Sequence, residues 1–298
     1  MNVLLEACGS LTSAYLIKAI KDAGHTVVAS DIAECAASYT AHEFITMPGY
    51  QEPDLWEQIE KHLLEKGVNL IIPSFDETLI GWSERKEYFL KKNIHVILSD
   101  LQSIAICQDK WKTYHFFKSN GIPTPETSLE YVHPLVKPRQ GRGGKDIRIG
   151  AAAKDVKMEG MISQELLHGE EYTIDVFCNH EHVPVYIIPR KRLQVKDGKS
   201  LNGITVNHPE IIKWVRKICS SARFIGPINI QCFVNSANEV KFTEINPRVA
   251  GGMALGFAAS ENWIRLIIDH LIEKKEIEIK PVIYGLKMFR YYDEVFVS

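Results

Sequence analysis

The sequence predicts an α/β domain with a parallel sheet over residues 1–100, followed by an α+β domain over residues 101–298. Strand-like runs alternate with helix-period segments in the first hundred residues, which is typical of a parallel sheet with right-handed crossover helices. After residues 121–125, strand-like runs follow one another directly, which favours antiparallel hairpins. A chain of 298 residues is also long enough for about two domains.

Four apolar runs in the first domain predict strands, at residues 3–5, 26–30, 68–73 and 95–99. Helical spacing separates them, with apolar residues recurring on one face at Leu16, Ile17, Ile20, Leu55, Ile59 and Leu63. Gly24 and Gly67 are expected to end these helices. Ser74 and Glu77 have the spacing of a capping box, which predicts the start of the next helix. We therefore expect a Rossmann-like domain.

The second domain is predicted to open with a helical region over residues 101–120, which Gly121 ends. Residues 121–125, GIPTP, cannot continue a helix and predict a rigid crossing into a new unit. The expected strands that follow are residues 135–137, 147–149, 172–177, 183–188, 228–234 and 239–245. Helices are expected near residues 209–222 and 261–274.

Composition excludes several classes of protein. The 35 basic and 37 acidic residues give a net charge of −2, which is no footprint for bulk nucleic-acid or anionic-membrane binding. Six scattered cysteines without a CxxC pair predict reduced, mostly buried thiols. There is no apolar run of the roughly 18 residues that a membrane span needs, and the N-terminus lacks the basic region of a signal peptide. We expect a cytoplasmic protein with neither nucleic acid nor membrane as partner.

A glycine-rich turn, GRGGK at residues 141–145, lies between two predicted strands. The backbone N–H groups of such a turn can converge on phosphate oxygens. It is not a Walker A loop, because neither Ser nor Thr follows Lys145 and no helix is predicted after it. A flexible basic hairpin tip is the alternative.

Two lysines are further candidates. Lys137 lies in an otherwise apolar strand, where a lysine must reach solvent, pair with an acid or bind an anion. Lys110 begins a helix rich in aromatic residues, and a plain solvated lysine is the alternative there.

Oxygen-bearing side chains converge near the end of the last predicted hairpin. Glu244 and Asn246 are two residues apart, so a strand projects both from one face. A turn at residues 235–238 would place Gln231 opposite Phe242, on the same face. Magnesium prefers such hard oxygen ligands, and a half-solvated polar sheet face is the alternative.

Several other charged residues have two interpretations. Residues 163–173 connect two strands, and exposed backbone groups there could recognise an adenine edge, with Glu171 near a ribose; an acidic loop is the alternative. Arg190 and Arg192 could face one anion together, although solvation is slightly favoured. Arg248 would extend its guanidinium toward the phosphate region.

Taken in order, these segments resemble the ATP-grasp superfamily, and they are most similar to stand-alone relatives of the carbamoyl-phosphate synthetase large chain. The motifs that carry the resemblance are Asp109-Lys110, residues 121–125, residues 136–145, residues 164–176, residues 229–231 and residues 244–248. The resemblance implies a two-lobed ATP-grasp domain, with a small lobe at about residues 123–165 and a large lobe at about residues 166–298. The segments 127–134 and 150–163 are shorter than the family usually has, so the small lobe is trimmed.

The resemblance also implies residue roles. Nucleotide phosphates would be contacted by Lys110 and Lys137 and covered by Gly141, Arg142, Gly143 and Gly144. The adenosine would be bound by Gln164, Glu165, Leu166, Leu167 and Glu171. Mg²⁺, with Mn²⁺ as an alternative, would be held by Gln231, Glu244 and Asn246. The catalytic residues acting on the transferring phosphoryl group would be Arg248 and Lys137.

The implied activity is that of an ATP-dependent ligase, which activates a small carboxylate as an acyl phosphate, couples it to an amine and releases ADP and phosphate. A non-catalytic nucleotide sensor and a kinase-like phosphoryl transferase are the alternatives on the same fold. A nicotinamide-dependent dehydrogenase is disfavoured: Asp31 follows the second strand, but residues 6–10 lack the G-x-G-x-x-G pattern. Small-molecule substrates are the expected partners, with a homodimer left open.

Overall fold

The computed structural model describes residues 1–10, 13–141, 144, 146–153, 155–196, 199–291 and 293–297. Its first part is a parallel sheet in the order β3-β2-β1-β4-β5, with helices between the strands. In chain order the elements are β1 (Asn2–Leu5), α1 (Ser13–Asp22), β2 (Thr26–Asp31), α2 (Ala37–Thr40), β3 (Glu43–Thr46), α3 (Leu55–Glu65), β4 (Leu70–Ile72), α4 (Leu79–Leu90) and β5 (His95–Val96). The predicted α/β class is confirmed, although the sequence did not indicate α2 or β3.

The predicted capping box at Ser74 and Glu77 is wrong. The Ser74 hydroxyl donates to the backbone carbonyl of Glu6 at 2.9 Å instead, which ties the end of β4 to the end of β1. A 3₁₀ turn, Asp76–Thr78, follows, and α4 begins only at Leu79. Ser74 bonds a neighbouring strand because the carboxyl ends of adjacent parallel strands meet at one edge.

Two helices, rather than one helical region, lead to the second part of the chain: α5 (Leu101–Cys107) and α6 (Lys110–Ser119). Asp109 separates them, since its side chain accepts hydrogen bonds from the backbone N–H groups of Trp111 and Lys112 at 2.9 and 3.3 Å. This is N-capping, which satisfies donors that a helix start leaves unpaired.

A small antiparallel sheet follows, in the order β6-β9-β7-β8. Its strands are β6 (Thr127–Ser128), β7 (Leu135–Pro138), β8 (Arg148–Ile149) and β9 (Met161–Gln164). Residues 129–134, all of them described, contain no helix, in agreement with the predicted trimming of this lobe.

A larger antiparallel sheet completes the fold, in the order β14-β13-β10-β11-β12-β15. Its strands are β10 (Glu170–Cys178), β11 (Pro184–Lys196), β12 (Lys199–Thr205), β13 (Gly226–Val234), β14 (Val240–Asn246) and β15 (Lys287–Phe289). The helices beside it are α7 (Pro209–Ser220), α8 (Ala254–Ala259) and α9 (Trp263–Arg265), which continues as a π-helix, Leu266–Ile272.

The two faces of the large sheet bury different partners. Ile174 and Val176 of β10 pack with α7 in one apolar cluster. Phe177 packs on the opposite face with the 263–271 helical segment, in a cluster that also contains α1 and the parallel sheet. The first domain and the large sheet therefore share a core. The domain boundary at residue 100 stays a prediction.

The cysteine prediction is confirmed. All six thiols are free, and five of them are buried, Cys35 being the partly exposed one. Among the described residues, no helix is long and apolar enough to cross a membrane.

Candidate active site

The connection between the small and large sheets, residues 165–168, is held at its start by side chains. Gln164 is buried, and its Nε2 donates to Thr127 Oγ1 at 2.9 Å. The Glu165 carboxylate accepts from Lys241 Nζ at 2.6 and 2.8 Å. Burial raises the pKa of Glu165, but the hydrogen bond and charge of Lys241, together with a backbone hydrogen bond at Glu126, outweigh this and lower the net pKa.

The remainder of this connection offers backbone donors. The Glu165 N–H donates to the Glu126 carbonyl at 2.8 Å, whereas within the described chain the N–H groups of Leu166 and Leu167 have no backbone acceptor. Of the four residues predicted to read adenine, the first two thus anchor the connection through their side chains. Within the part of the chain that the structure describes, the backbone N–H groups of Leu166 and Leu167 remain available to a ligand.

Gly169 ends the connection in a conformation that only glycine adopts readily. Its φ is +139°, and a Cβ at this position would lie 2.2 Å from the Val234 carbonyl oxygen. The close approach brings the start of β10 against β13, which carries Gln231.

Lys137 lies on β7 and is partly buried. Burial lowers the pKa of its ammonium to about 8; the Glu244 carboxylate opposes this effect and the charge of Lys110 adds to it. Lys110 and Glu244 line one cleft, and both influence the charge of Lys137. Within the described residues, the Lys137 ammonium has no hydrogen-bond partner, so an anion could complete its coordination.

An ion pair that sequence reasoning missed fixes the two lysines relative to each other. Arg139 Nε lies 2.8 Å from both carboxylate oxygens of Asp109, and its Nη2 lies 2.6 Å from one of them. The Lys110 N–H also donates to the Arg139 carbonyl at 2.9 Å. Strand β7 and the start of α6 are therefore locked together. The available signal was an N-capping acid just before Lys110 and an arginine two residues after Lys137.

The glycine-rich turn is described only in part. The Lys110 ammonium donates to the Gly141 carbonyl at 2.8 Å, and Gly141 and Gly144 have positive φ values of 99° and 66°. Arg142 and Gly143, which were also predicted to cover phosphates, lie outside the described residues.

The oxygen-bearing side chains share one face of the β13–β14 hairpin, but the predicted register is wrong. Gln231 lies opposite Glu244, not Phe242, and the register shifts between Gln231 and Cys232. The Asn246 amide donates to Glu244 Oε1 at 3.0 Å. The set contains one carboxylate, and in the described part of the chain no three His, Cys, Asp or Glu side chains are arranged to hold a metal ion.

Arg248 reaches across to the first domain. Its Nε and Nη2 donate to the two carboxylate oxygens of Asp76 at 3.0 and 2.7 Å, and Nη2 also contacts Asn246 Oδ1 at 3.2 Å. The cleft here is lined by Asp76, Cys107, Gln108, Lys110, Gly141, Glu244, Ile245, Asn246 and Pro247. Residues from the turn after β4, the start of α6, the glycine turn and β14 thus meet at one place.

The slightly favoured solvated interpretation of Arg190 and Arg192 is wrong. Arg190 is only 1% exposed and forms a bidentate ion pair with Asp175 at 2.5 and 2.8 Å. Arg192 pairs with Glu171, the residue predicted to hold a ribose. The spacing of the arginines showed that they share a face, but the acids that cover them lie on the neighbouring strand β10.

The carboxyl edge of the parallel sheet contains two further acids. The Asp31 carboxylate accepts hydrogen bonds from the N–H groups of Gly9 and Ile32, both at 2.7 Å. It therefore stabilises the loops that follow β1 and β2. Burial raises the pKa of Glu6 to about 7, although hydrogen bonds from Trp82 and Thr78 lower it. Glu6 was visible in the sequence only as an interruption of an apolar strand.

Comparisons with known families agree with this architecture. Residues 3–97 match the family described as PylC-like, N-terminal domain, and residues 157–292 match the family described as ATP-grasp in the biosynthetic pathway with Ter operon. Carbamoyl-phosphate synthase of Methanobrevibacter smithii is 29% identical over 161 residues, which are 47% of this chain and 44% of that protein. The matched region thus spans less than half the length of that relative.

Solved structures share the fold. N5-carboxyaminoimidazole synthetase from Staphylococcus aureus, complexed with ADP, has a TM-score of 0.73 at 19% identity, covering 93% of this chain and 78% of that one. The biotin carboxylase domain dimer of Hydrogenobacter thermophilus 2-oxoglutarate carboxylase, in complex with MgADP and bicarbonate, has a TM-score of 0.73 at 17% identity, covering 96% and 73%.

These matches and the two antiparallel sheets with a cleft between them are typical of the ATP-grasp class of proteins. Residues 157–292 of the chain are similar to an ATP-grasp family, and its first part is similar to the PylC-like N-terminal domain. The family predicted from the sequence is thereby confirmed.

Proposed function

We propose that this chain is an ATP-dependent ligase that activates a small carboxylate as an acyl phosphate and couples it to an amine, releasing ADP and phosphate. One observation carries the proposal: Lys110 and the Glu244–Asn246 pair line one cleft, and the partly buried Lys137, whose charge both Lys110 and Glu244 influence, has no hydrogen-bond partner among the described residues. A partly desolvated cation beside hard oxygen ligands suits a metal-bound triphosphate.

Each part of the cleft has a proposed role. Lys110 and Lys137 neutralise phosphate charge, and the N–H groups of Leu166 and Leu167 face the adenine. Gln231, Glu244 and Asn246 would hold Mg²⁺, which as a Lewis acid polarises phosphoryl oxygens when bound. Oxygen ligands without sulfur or imidazole fit this hard cation.

The reaction follows from positioning and charge stabilisation. A carboxylate oxygen of the substrate forms a bond to the γ-phosphorus while the bond to the bridging β–γ oxygen breaks, and ADP leaves. The amine then forms a bond to the acyl carbon, the C–O bond to phosphate breaks, and the amine loses one proton to the departing phosphate or to solvent. The ADP in the synthetase and the MgADP in the biotin carboxylase domain support the nucleotide assignment. That domain is a dimer, which supports a homodimer here.

The test is to incubate the protein with Mg-ATP, a panel of carboxylates including bicarbonate, and hydroxylamine as the amine. We expect ADP and a hydroxamate from one acid. AMP as the nucleotide product would overturn the mechanism, and ADP without hydroxamate would indicate a kinase. Nucleotide binding without turnover on any acid would indicate a sensor.

Removing a proposed metal ligand should abolish turnover without unfolding the protein. We expect Glu244→Ala and Asn246→Ala each to lower Mg-dependent ADP formation by about 100-fold or more, because the charge moving in the transition state loses compensation. The matched control is Glu239→Ala, which removes an exposed carboxylate from the hairpin turn beside β14. Near-normal turnover in a folded Glu244→Ala protein would contradict the assignment.

A further inference from the structure

Nearly all the N–H donors of the Arg248 guanidinium already have an acceptor in the protein. A guanidinium has five N–H donors. Two of them point to the Asp76 carboxylate, one to Asn246 Oδ1 and one to the Val249 carbonyl at 3.1 Å. Within the described structure one donor is left. Two parallel N–H groups are needed to hold a phosphoryl group as a fork, so Arg248 cannot do so while Asp76 occupies its edge.

Asp76 comes from a distant part of the chain and lies in the same cleft as the proposed γ-phosphate ligands. It belongs to the turn after β4, and its side chain is 13% exposed, against 12% for Arg248. Lys110, Glu244 and Asn246 line the cleft with it. A triphosphate that enters this cleft meets the Asp76 carboxylate as a repelling charge and as a competitor for Arg248.

We propose that Asp76 is a positioning residue that holds Arg248 beside the cleft and gives it up when a γ-phosphoryl group arrives. This rests on the proposed function, since a γ-phosphoryl group must enter the cleft. The phosphoryl group has more charge and more acceptor oxygens than one carboxylate, so it takes over the planar edge of the guanidinium. Asn246 and the Val249 carbonyl keep Arg248 in place during the exchange.

The exchange would connect the two domains. Asp76 lies just beyond the carboxyl end of β4, and open α/β sheets bind ligands at that edge. Its carboxylate would lose its guanidinium partner only when the γ-phosphoryl group is present. The edge of the parallel sheet would thus change its charge in response to the nucleotide.

The experiment compares two nucleotides that differ at the γ position, Mg·β,γ-methylene-ATP and MgADP, by calorimetry. We expect Asp76→Asn to bind the methylene analogue about tenfold more tightly than the wild type does, a typical size for such coupling. MgADP affinity should stay nearly unchanged, because ADP does not require the exchange. Asp76→Glu keeps the charge and should bind both nucleotides as the wild type does.

Two further variants separate exchange from simple repulsion. Glu77→Gln removes the same charge from the exposed next residue and should change neither affinity. In an Arg248→Gln background, Asp76→Asn should lose its tenfold gain, since no guanidinium remains to be released. A gain that persists there would show that Asp76 only repels the nucleotide, and this would overturn the exchange.

Failure of the proposal can be told apart from failure of the proposed function. The exchange alone is overturned if the wild-type protein binds the methylene analogue and folded Asp76→Asn binds it with the same dissociation constant. Wild-type protein that binds neither nucleotide overturns the proposed function and the exchange with it. Thermal unfolding of every variant without nucleotide establishes that each is folded.

Discussion

Lys137 shows how its surroundings tune a single residue. Burial lowers the pKa of its ammonium to about 8, while the nearby Glu244 carboxylate partly restores it. Below this value the side chain is charged and can neutralise phosphate, and above it the side chain is neutral. The environment that makes the cation available to a ligand also makes its charge depend on pH near the physiological range.

Nucleotide affinity should therefore fall as the pH rises through about 8. Binding of Mg·β,γ-methylene-ATP, measured by calorimetry between about pH 6.5 and 9.5, should weaken by up to about tenfold per pH unit above that pKa. Lys137→Arg should flatten the profile, because a guanidinium stays protonated throughout. Lys112→Arg, at an exposed lysine on α6, should keep the wild-type slope; equal slopes in the Lys137→Arg and wild-type proteins would contradict the assignment.

Sequence reasoning found residues whose type is unusual for their position and missed those whose partner is distant. Lys137 stood out because a lysine is rare in an apolar strand. The Asp109–Arg139 pair and the Arg190–Asp175 pair did not, since each partner alone has an ordinary appearance. Exposure of Arg190 depends on which acid the neighbouring strand places beside it, and spacing along one strand does not contain that information.

The β13–β14 hairpin shows the same limit for an element. The turn spans residues 235–239, and Asn238 takes a φ of +61°, so Val234 pairs with Val240. Continued without interruption, that register would put Gln231 opposite Thr243, on the wrong face. The irregularity beside Gln231 restores the face. The alternation of side chains along β14 predicted that Glu244 and Asn246 share a face. It could not predict the length of the turn or the position of the bulge.

At Gly169, a substitution tests the junction between the connection and β10. Gly169→Ala should destabilise the protein by about 3 kcal/mol or more, because the methyl group meets the Val234 carbonyl at 2.2 Å in addition to an unfavourable φ. Gly160→Ala is the control, since φ there is +70° with open space around it, and it should cost about 1 kcal/mol. Equal midpoints of the two variants in urea denaturation would show that the close approach is unimportant.

The whole molecule is organised by a core that crosses the domain boundary. Leu16 and Ile20 of α1 share one apolar cluster with Trp263 and Ile267, and the Asn262 amide donates to the Ala19 carbonyl at 2.7 Å. Alternation of strands and helices was sufficient to predict the two kinds of sheet. It could not predict which faces of the domains join, because that depends on complementary apolar surfaces far apart in the chain.

This shared core should make the parallel sheet and the C-terminal helices unfold together. Ile267 is fully buried, and Ile267→Ala should cost about 2–5 kcal/mol by leaving a cavity. If the core is one cooperative unit, hydrogen exchange followed by mass spectrometry should show the same loss of protection in β1 (Asn2–Leu5) as in the π-helix, Leu266–Ile272. Ile149→Ala, at a half-exposed isoleucine of the small sheet, should change neither. Loss confined to residues 263–272 would mean that the first domain is stable without this contact, and the shared core would then be an interface between independent units.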